Sequence, residues 1–497
     1  MQDTNLIWNA VIALSSVVSL FVVRWAYFKI LKIAKDKNLV DNPDARKLQK
    51  MPVPVMGGIA VFFGVVAGVM AGAAFGNIFD LTSISHLAPI WLAMAVMLYV
   101  GAMDDIIGLT PGSRFIIEIL SLLGVIFASG SCIDSFHGLW GVESFSWWVA
   151  VPLTVVAGVG IINAVNMIDG VNGLSSGMCM TCCIIYGVVF RLSGDMANAL
   201  LAFVMAAALL PFLLHNVFGL HSRMFIGDAG TMVMGVLMTW FTINVLESGS
   251  VTAANIGLPE ANMIALALAV LSVPVFDTVR VMTMRILKHQ SPFNPDKTHL
   301  HHIFINLGVS HSFTALFEIA IGILIVGAWL LAAKNGASSE WQLYIVIICA
   351  VILVWGTYFF LRNQVRRHTR LMHRMARFSV TTHHNSKNWW LRLQLFLDRR
   401  EIKDKESEAK PKNTQVFHIT IDPNPENKKE VDRRRMLEYM KGKAELYVDD
   451  IKRRSGADRL RVDALLFEGE MEGYIHVITR STLGSAEIVA LDENVTF

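Results

Sequence analysis

Charge is what this sequence lacks most. Only 17% of its 497 residues are Asp, Glu, Lys or Arg, against roughly 25% in an average soluble chain. The shortage is uneven. Residues 1–361 hold 16 Lys/Arg and 19 Asp/Glu, whereas residues 362–497 hold 27 and 21. A nearly charge-free first part and a densely charged tail exclude a single soluble globule and a disordered chain. Cysteine is scarce too, with five in all, which excludes a disulfide scaffold. Four of the five sit in apolar runs; the Cys179-x-x-Cys182-Cys183 spacing faintly resembles a metal or redox motif but reads better as small apolar filler. The first apolar run does not read as a secretory leader, since it follows Asp3 instead of a basic stretch and is long enough to span, so a retained membrane helix is expected.

What the sequence has in abundance is long apolar runs, and a membrane crossing needs roughly 20 such residues. Eleven stretches qualify: 6–27, 55–75, 87–103, 114–130, 146–162, 174–192, 196–214, 228–246, 262–284, 313–333 and 341–361. Basic residues orient them. The loop after the first run carries Lys29, Lys32, Lys35, Lys37, Arg46, Lys47 and Lys50 and belongs in the cytoplasm. Alternation then places eleven Lys/Arg in the short inner loops, against Lys334 in an outer loop and Arg191 at the outer end of 174–192. The expected fold is an all-α polytopic membrane protein of about eleven helices, N-terminus outside and C-terminus inside, in the inner (cytoplasmic) membrane.

Polar motifs collect on the inner face. They are Pro54-Val-Met-Gly57-Gly58, Asp104-Asp105, Asn163-Ala-Val-Asn166-Met-Ile-Asp169-Gly170-Val-Asn172-Gly173, Phe225-Ile-Gly227-Asp228, and the loop Ser291 to His302. Adjacent carboxylates at an apolar helix end need a cation, a partner or water, and their mutual repulsion raises one pKa, which makes a candidate base. A solvated helix end is the plainer alternative. Asn163, Asn166 and Asp169 share one helix face, and their oxygens suit a hard cation such as Mg²⁺; an Asn/Gly turn closing a helix is the alternative. Asp228 alone is an ordinary helix cap, and gains weight only as a third acidic corner. His299, His301 and His302 follow Lys297, which would repel a metal dication, so hydrogen bonding to a phosphorylated ligand is preferred over zinc. Glu118 and Asp277 are read as ion pairs with Arg114 and Arg280. Carboxylates for one divalent cation, basic groups for an anion and a site at the water–lipid boundary are the residue kit of phosphoryl transfer. A transporter would instead place its polar residues near the bilayer midplane.

Taken in order, these motifs resemble the polyprenyl-phosphate N-acetylhexosamine-1-phosphate transferases, over about residues 30–310. The resemblance implies transfer of a sugar-1-phosphate from a UDP-sugar to undecaprenyl phosphate, with release of UMP and with Mg²⁺, for which Mn²⁺ substitutes. It implies Asp228 and Asn166 as metal ligands, and Asp104, Asp105 and Asp169 as catalytic acidic positions, without settling which aspartate is base or nucleophile. It implies Lys50 and Arg114 as grips on phosphate, Asn172 and Phe225 on uracil, and His299, His301 and His302 on the donor phosphates or sugar. The His-Leu-His-His form resembles the N-acetylglucosamine branch, so UDP-N-acetylglucosamine is the expected donor, with UDP-MurNAc-pentapeptide or UDP-GalNAc as alternatives. The lipid bilayer is a partner, nucleic acid is not, and a homodimer is left open.

The tail departs from that pattern. A membrane domain over 1–361 is expected to be followed by a basic amphipathic connection, 362–400, lying along the membrane. A small α+β cytoplasmic module, 401–497, then follows, with an unknown partner. Residues 416–421, 460–466, 474–479 and 488–491 read as strands and 428–443 as a charged helix. Because the motifs are complete before residue 303, truncation after about residue 385 is expected to leave activity intact.

Overall fold

The computed structural model describes residues 2–41, 52–78, 85–247, 256–292, 297–367, 392–402, 417–418, 428–443, 445–480, 486–492 and 495–496. The chain falls into two compact units, Met1–Glu401 and Ile402–Phe497. The first is a bundle of apolar helices: α1 (Gln2–Asp36), α2 (Gly57–Ile78), α3 (Ala88–Ile107), α4 (Pro111–Ser129), α5 (Trp147–Met167), α6 (Leu174–Ser193), α7 (Met196–Phe218) and α8 (Gly227–Leu246) come first. They are followed by α9 (Asn262–Val270), α10 (Ser272–Ile286), the short α11 (Leu300–Asn306), α12 (His311–Lys334), α13 (Ser339–Ala350) and α14 (Thr357–Arg366), the last two joined through a π-helical turn at Val351–Gly356. Ten of these segments are long and apolar enough to cross a membrane, eleven if the bent pair α9–α10 counts as one span. This is a multi-pass membrane protein.

The segment expected as one span at 262–284 is broken in two. Between α9 and α10 the axis bends by 76° at Leu271. The polar content of the second half explains why it is not a simple lipid-facing rod: Asp277 and Arg280 are both about 1% exposed and bond to each other at 2.6 Å. The ion pairs expected for Glu118 and Asp277 are thus present, although Arg114 Nε stands 3.9 Å from Glu118. Cys179, Cys182 and Cys183 are buried and unpaired by disulfide, as apolar filler should be.

Helix ends follow local chemistry. Thr110 caps α4, its hydroxyl accepting the Ser113 N–H at 3.3 Å ahead of Pro111 in the first turn. Asp195, Ser310 and Ser338 cap α7, α12 and α13 in the same way. Helix α8 is the axis of the bundle, packed by α3, α5, α2 and α6. Two contacts bring its N-terminus close to its neighbours. A β-carbon on Gly58 would lie 2.3 Å from the Gly230 backbone, and one on Gly101 would lie 2.4 Å from the Ala229 nitrogen. Only glycine lets α2 and α3 approach α8 so closely.

The second unit carries a three-stranded antiparallel sheet in which Ala486–Leu491 lies between Leu446–Tyr447 and Ile475–Arg480. Helices Lys428–Met440, Val448–Arg454 and Arg459–Glu472 pack with it around Met436, Leu437, Ile451, Leu465 and Val489. One expectation is overturned. Residues 460–466 are helical, not a strand, because Val462, Leu465 and Leu466 follow a helical spacing that puts all three in the core. Of the strand expected at 416–421, Phe417–His418 pairs in parallel with Val495–Thr496, and the remaining positions lie outside the described residues. The connection expected at 362–400 also changes. Residues 368–391 lie outside the described residues, and 392–402 form a helix, α15, that packs against the first unit.

Candidate functional site at one end of the bundle

The Pro54-to-Gly58 motif is a backbone clamp. The strands Val40–Asp41 and Val53–Pro54 pair as an antiparallel ribbon. Pro54 then accepts the Phe225 N–H at 2.8 Å, while Gly57 and Gly58 donate to the carbonyls of Phe225 and Ile226 at 2.9 and 2.8 Å. This fixes the segment that leads into Asp228 at the start of α8. Asp105, from the end of α3, caps that start from outside, accepting the N–H groups of Asp228 (2.9 Å) and Ala229 (3.2 Å). Its neighbour Asp104 accepts the Leu109 N–H at 2.7 Å and binds Arg114 at 2.8 Å. The close α3–α8 crossing at Gly101 is what holds these three carboxylates together.

Arg114 also reaches the Asn166 oxygen at 3.3 Å and stands 3.8 Å from Asp228. Asn166 in turn donates to Asp228 at 2.5 Å and to Thr231 at 2.8 Å. The first asparagine of the motif faces elsewhere, Asn163 donating to Glu118 at 2.6 Å. Asp228 keeps 34% of its side chain exposed, against 9% for Asp104, so Asp228 is more available to a ligand than Asp104. Asp169, hydrogen-bonded by the Ser175 hydroxyl, opens onto the same space. Enclosure by protein on its other sides pushes its carboxyl up to about 6.

These groups line a cavity of about 1170 Å³, larger than the roughly 300–1,000 Å³ of most small-ligand pockets. Asp104, Asp105, Asn166, Asp169, Asn172, Phe225, Asp228 and His302 all border it. Arg114 stands behind Asp104 and Asn166. The other two histidines are buried beside the wall. His299 bonds Asp277 at 2.8 Å. His301 packs its ring on Gly170, where a β-carbon would meet Nε2 at 2.3 Å; burial holds it well below the usual histidine range, hence neutral. Lys50 lies outside the described residues.

The cavity also has walls that motif reading missed: Asp41, Asn216, Arg223, His311 and Gln394. Arg223 had a signal. Between residues 115 and 279 it and Arg191 are the chain's only basic groups besides histidine, and such isolation in an apolar domain marks a residue with a task. Asn216 links two walls, accepting the Gly173 N–H at 2.7 Å and donating to the Met224 carbonyl at 2.9 Å.

The donors around Asp228 fit a hard divalent cation better than a soft one. They are carboxylate and amide oxygens, with three aspartates set against the single guanidinium of Arg114. Among the described residues no three His, Cys, Asp or Glu side chains stand as a preformed cage. Mg²⁺ is commonly held by one or two carboxylates together with water and substrate phosphate.

Comparison with known proteins places this geometry. A family model described as glycosyl transferase family 4 matches residues 87–246, which include Asp104, Asp105, Asn166, Asp169 and Asp228. The chain is 31% identical over 344 residues to a probable undecaprenyl-phosphate N-acetylglucosaminyl 1-phosphate transferase of Bacillus subtilis, covering 69% of this chain and 91% of that one. It is 28% identical over 353 residues to the undecaprenyl-phosphate alpha-N-acetylglucosaminyl 1-phosphate transferase of Salmonella typhi, covering 69% and 89%. The corresponding figures for the Escherichia coli K12 protein of that name are 27% over 362 residues, 69% and 90%. Similarity sustained across nine-tenths of the Bacillus relative has one explanation: the chain belongs to glycosyl transferase family 4, among the undecaprenyl-phosphate N-acetylglucosaminyl 1-phosphate transferases.

Proposed function

We propose that the protein transfers N-acetylglucosamine-1-phosphate from UDP-N-acetylglucosamine to undecaprenyl phosphate, releasing UMP, as a membrane step of cell-envelope glycan synthesis. The observation that carries this reading is the convergence of Asp104, Asp105, Asn166 and Asp228 on one cavity at an end of an apolar bundle. Such a cavity admits a water-soluble donor from one side and a lipid acceptor from the other. Its size leaves room for both.

In the reaction, an oxygen of the lipid phosphate attacks the β-phosphorus of the donor. The bond from that phosphorus to the bridging oxygen breaks, and UMP leaves. The chain's part is mostly positioning and charge. Arg114 offsets negative charge on the diphosphate. Asp105 fixes the start of α8, so that Asp228 is presented to the cavity at a set depth. Phe225 offers a ring face to the uracil and Asn172 an amide to its edge. Asp228 and Asn166 are the residues that would hold Mg²⁺, which supplies Lewis-acid neutralisation of the donor phosphates. His302, alone of the three clustered histidines, borders the cavity and faces the donor; His299 and His301 support it from behind. We place the site on the cytoplasmic face of the inner membrane, on the strength of the basic loops.

The test is direct. Purified protein is incubated with Mg²⁺, undecaprenyl phosphate and UDP-N-acetylglucosamine, and UMP is measured. Release that depends on both substrates is expected. No release from folded protein would overturn the reading.

A further inference from the structure

Helix α15 reaches the transferase site although it lies some thirty residues beyond the last membrane span. Its inner face is Leu397, Asp398 and Glu401, all buried. Glu401 pairs with Lys35 at the end of α1. The guanidinium of Arg400 lies 5.1 Å from the Phe28 ring and that of Arg24 lies 5.8 Å from Phe396. Gln394 itself borders the cavity.

The central contact is Asp398, which is 2% exposed. Its carboxylate accepts three consecutive backbone N–H groups, from Leu220 at 3.0 Å, His221 at 3.1 Å and Ser222 at 2.9 Å. It also accepts the Ser222 hydroxyl at 2.6 Å. Burial pushes this carboxyl up, but the Ser222 hydroxyl and the backbone donors outweigh it and hold the group below the usual carboxylate range. The loop so gripped, 219–226, runs from the end of α7 to the start of α8. Three of its side chains, Leu220, Arg223 and Phe225, line the cavity. Other bonds locate the same loop: Tyr27 donates to the Ser222 carbonyl at 2.7 Å, and His215 Nδ1 lies 3.0 Å from the Ser222 hydroxyl. Three successive N–H groups turned to one point form an anion-binding nest, and here the occupant comes from the chain's own tail. Without Asp398 these donors lose a charged acceptor in a site shielded from water.

We propose that Asp398 is a positioning residue of the transferase site, holding the 219–226 loop so that its wall of the donor pocket is preformed. The proposal deepens the transferase reading and rests on it. Asp104, Asp105 and Asn166 are held by α3 and α5, and the end of the loop next to Asp228 is held separately by the Pro54–Gly58 clamp on Phe225 and Ile226. Loss of the grip on Leu220–Ser222 therefore falls on donor binding and not on the chemical step. It also revises the expectation that the chain can be cut after about residue 385, since such a cut removes α15.

The experiment uses the full chain. Steady-state kinetics with UDP-N-acetylglucosamine compare wild type, Asp398→Ala and Ser222→Ala, with Arg399→Ala on the outer face of α15 as control. For Asp398→Ala, KM for the donor should rise about tenfold while kcat changes little. Ser222→Ala loses one of the four bonds, so it should show a smaller rise of the same kind, and it carries the test if Asp398→Ala does not fold. Arg399→Ala should match wild type. Hydrogen exchange should quicken in 219–226 and stay unchanged in 163–173. An active wild type whose folded variants keep its KM, or lose kcat at constant KM, would overturn the proposal alone. A folded but silent wild type would instead overturn the transferase reading and the proposal with it.

Discussion

Replacing Gly101 with alanine asks whether the carboxylates act at the spacing their helices impose. A β-carbon there would lie 2.4 Å from the Ala229 nitrogen and 2.5 Å from the Asp228 carbonyl carbon. Both are backbone atoms of α8, so no change of rotamer relieves the overlap. Ordinary contact begins at 3.4 Å, so α3 and α8 must part by about 1 Å. Overpacking of this kind costs ~1–3 kcal/mol of stability, which shifts a melting curve without preventing folding. The catalytic cost is greater. The same crossing carries the bonds from Asp105 to the N–H groups of Asp228 and Ala229. An ångström of misplacement around a reacting centre lowers rates on the order of 100-fold, about 2.7 kcal/mol of barrier. UMP release by Gly101→Ala should therefore fall by roughly that factor in kcat, with the protein still inserted and folded. Gly160→Ala in α5, where an added β-carbon meets nothing within 4 Å, is the control and should behave as wild type. A Gly101→Ala protein turning over at the wild-type rate would show that the α3–α8 spacing does not set the chemistry.

Three further outcomes follow from the site. Asp228→Asn should abolish UMP release, a barrier increase of several kcal/mol, with an unchanged melting profile; near-normal turnover at saturating Mg²⁺ would remove Asp228 from the metal site. Offered competing donors, the enzyme should use UDP-N-acetylglucosamine far better than UDP-MurNAc-pentapeptide, and product analysis by mass spectrometry would expose the opposite preference. Asp169, its carboxyl raised to about 6, is ionised above that pH and takes up a proton as pH falls through it. If its carboxylate is the working form, kcat/KM should drop through an acid limb near that value, and a flat profile across it would rule out a role for the charge.

How much of this was legible beforehand depends on whether the signal was local. The apolar runs located the ten helices long enough to cross a membrane and the bent pair α9–α10, because the bilayer sets a length that a linear sequence displays. Acidic and amide residues in nearly charge-free surroundings marked the cavity for the same reason: Asp104, Asn166 and Asp228 stand out wherever they fall. Division of labour among them was not legible. Nothing in His299-Leu-His301-His302 says that the first ring bonds Asp277 or that the second packs on Gly170, since those partners come from other helices. The bend at Leu271 did have a local signal: Pro274, in the first turn of α10, has no N–H to give the Val270 carbonyl, and the helix breaks there. In the tail, the window 460–466 was too short to separate two periods, and the core settled it as helix. Asp398 gave no sign at all. One aspartate among many in a charged tail becomes distinctive only when three backbone N–H groups point at it.

The bent crossing has a consequence for how the chain enters the bilayer. Helix α10 carries Asp277, Arg280 and Arg285, and each such charge costs ~2.5–3.5 kcal/mol at the centre of an inserting helix. What compensates Arg280 comes partly from later in the chain: the Thr298 carbonyl at 2.6 Å and the face of the Tyr358 ring, 3.5 Å from the guanidinium. Trp355 likewise donates to the Phe276 carbonyl at 2.9 Å. A ribosome delivers Tyr358 about eighty residues after Arg280, so α10 emerges before its partners exist. Asp277 pairs Arg280 from within the helix, but the rest of its cover is completed only when the final span is made. A chain ending short of Trp355 would leave the Arg280 guanidinium without its aromatic cover and the Phe276 carbonyl without its donor, so the final span completes the assembly of α10.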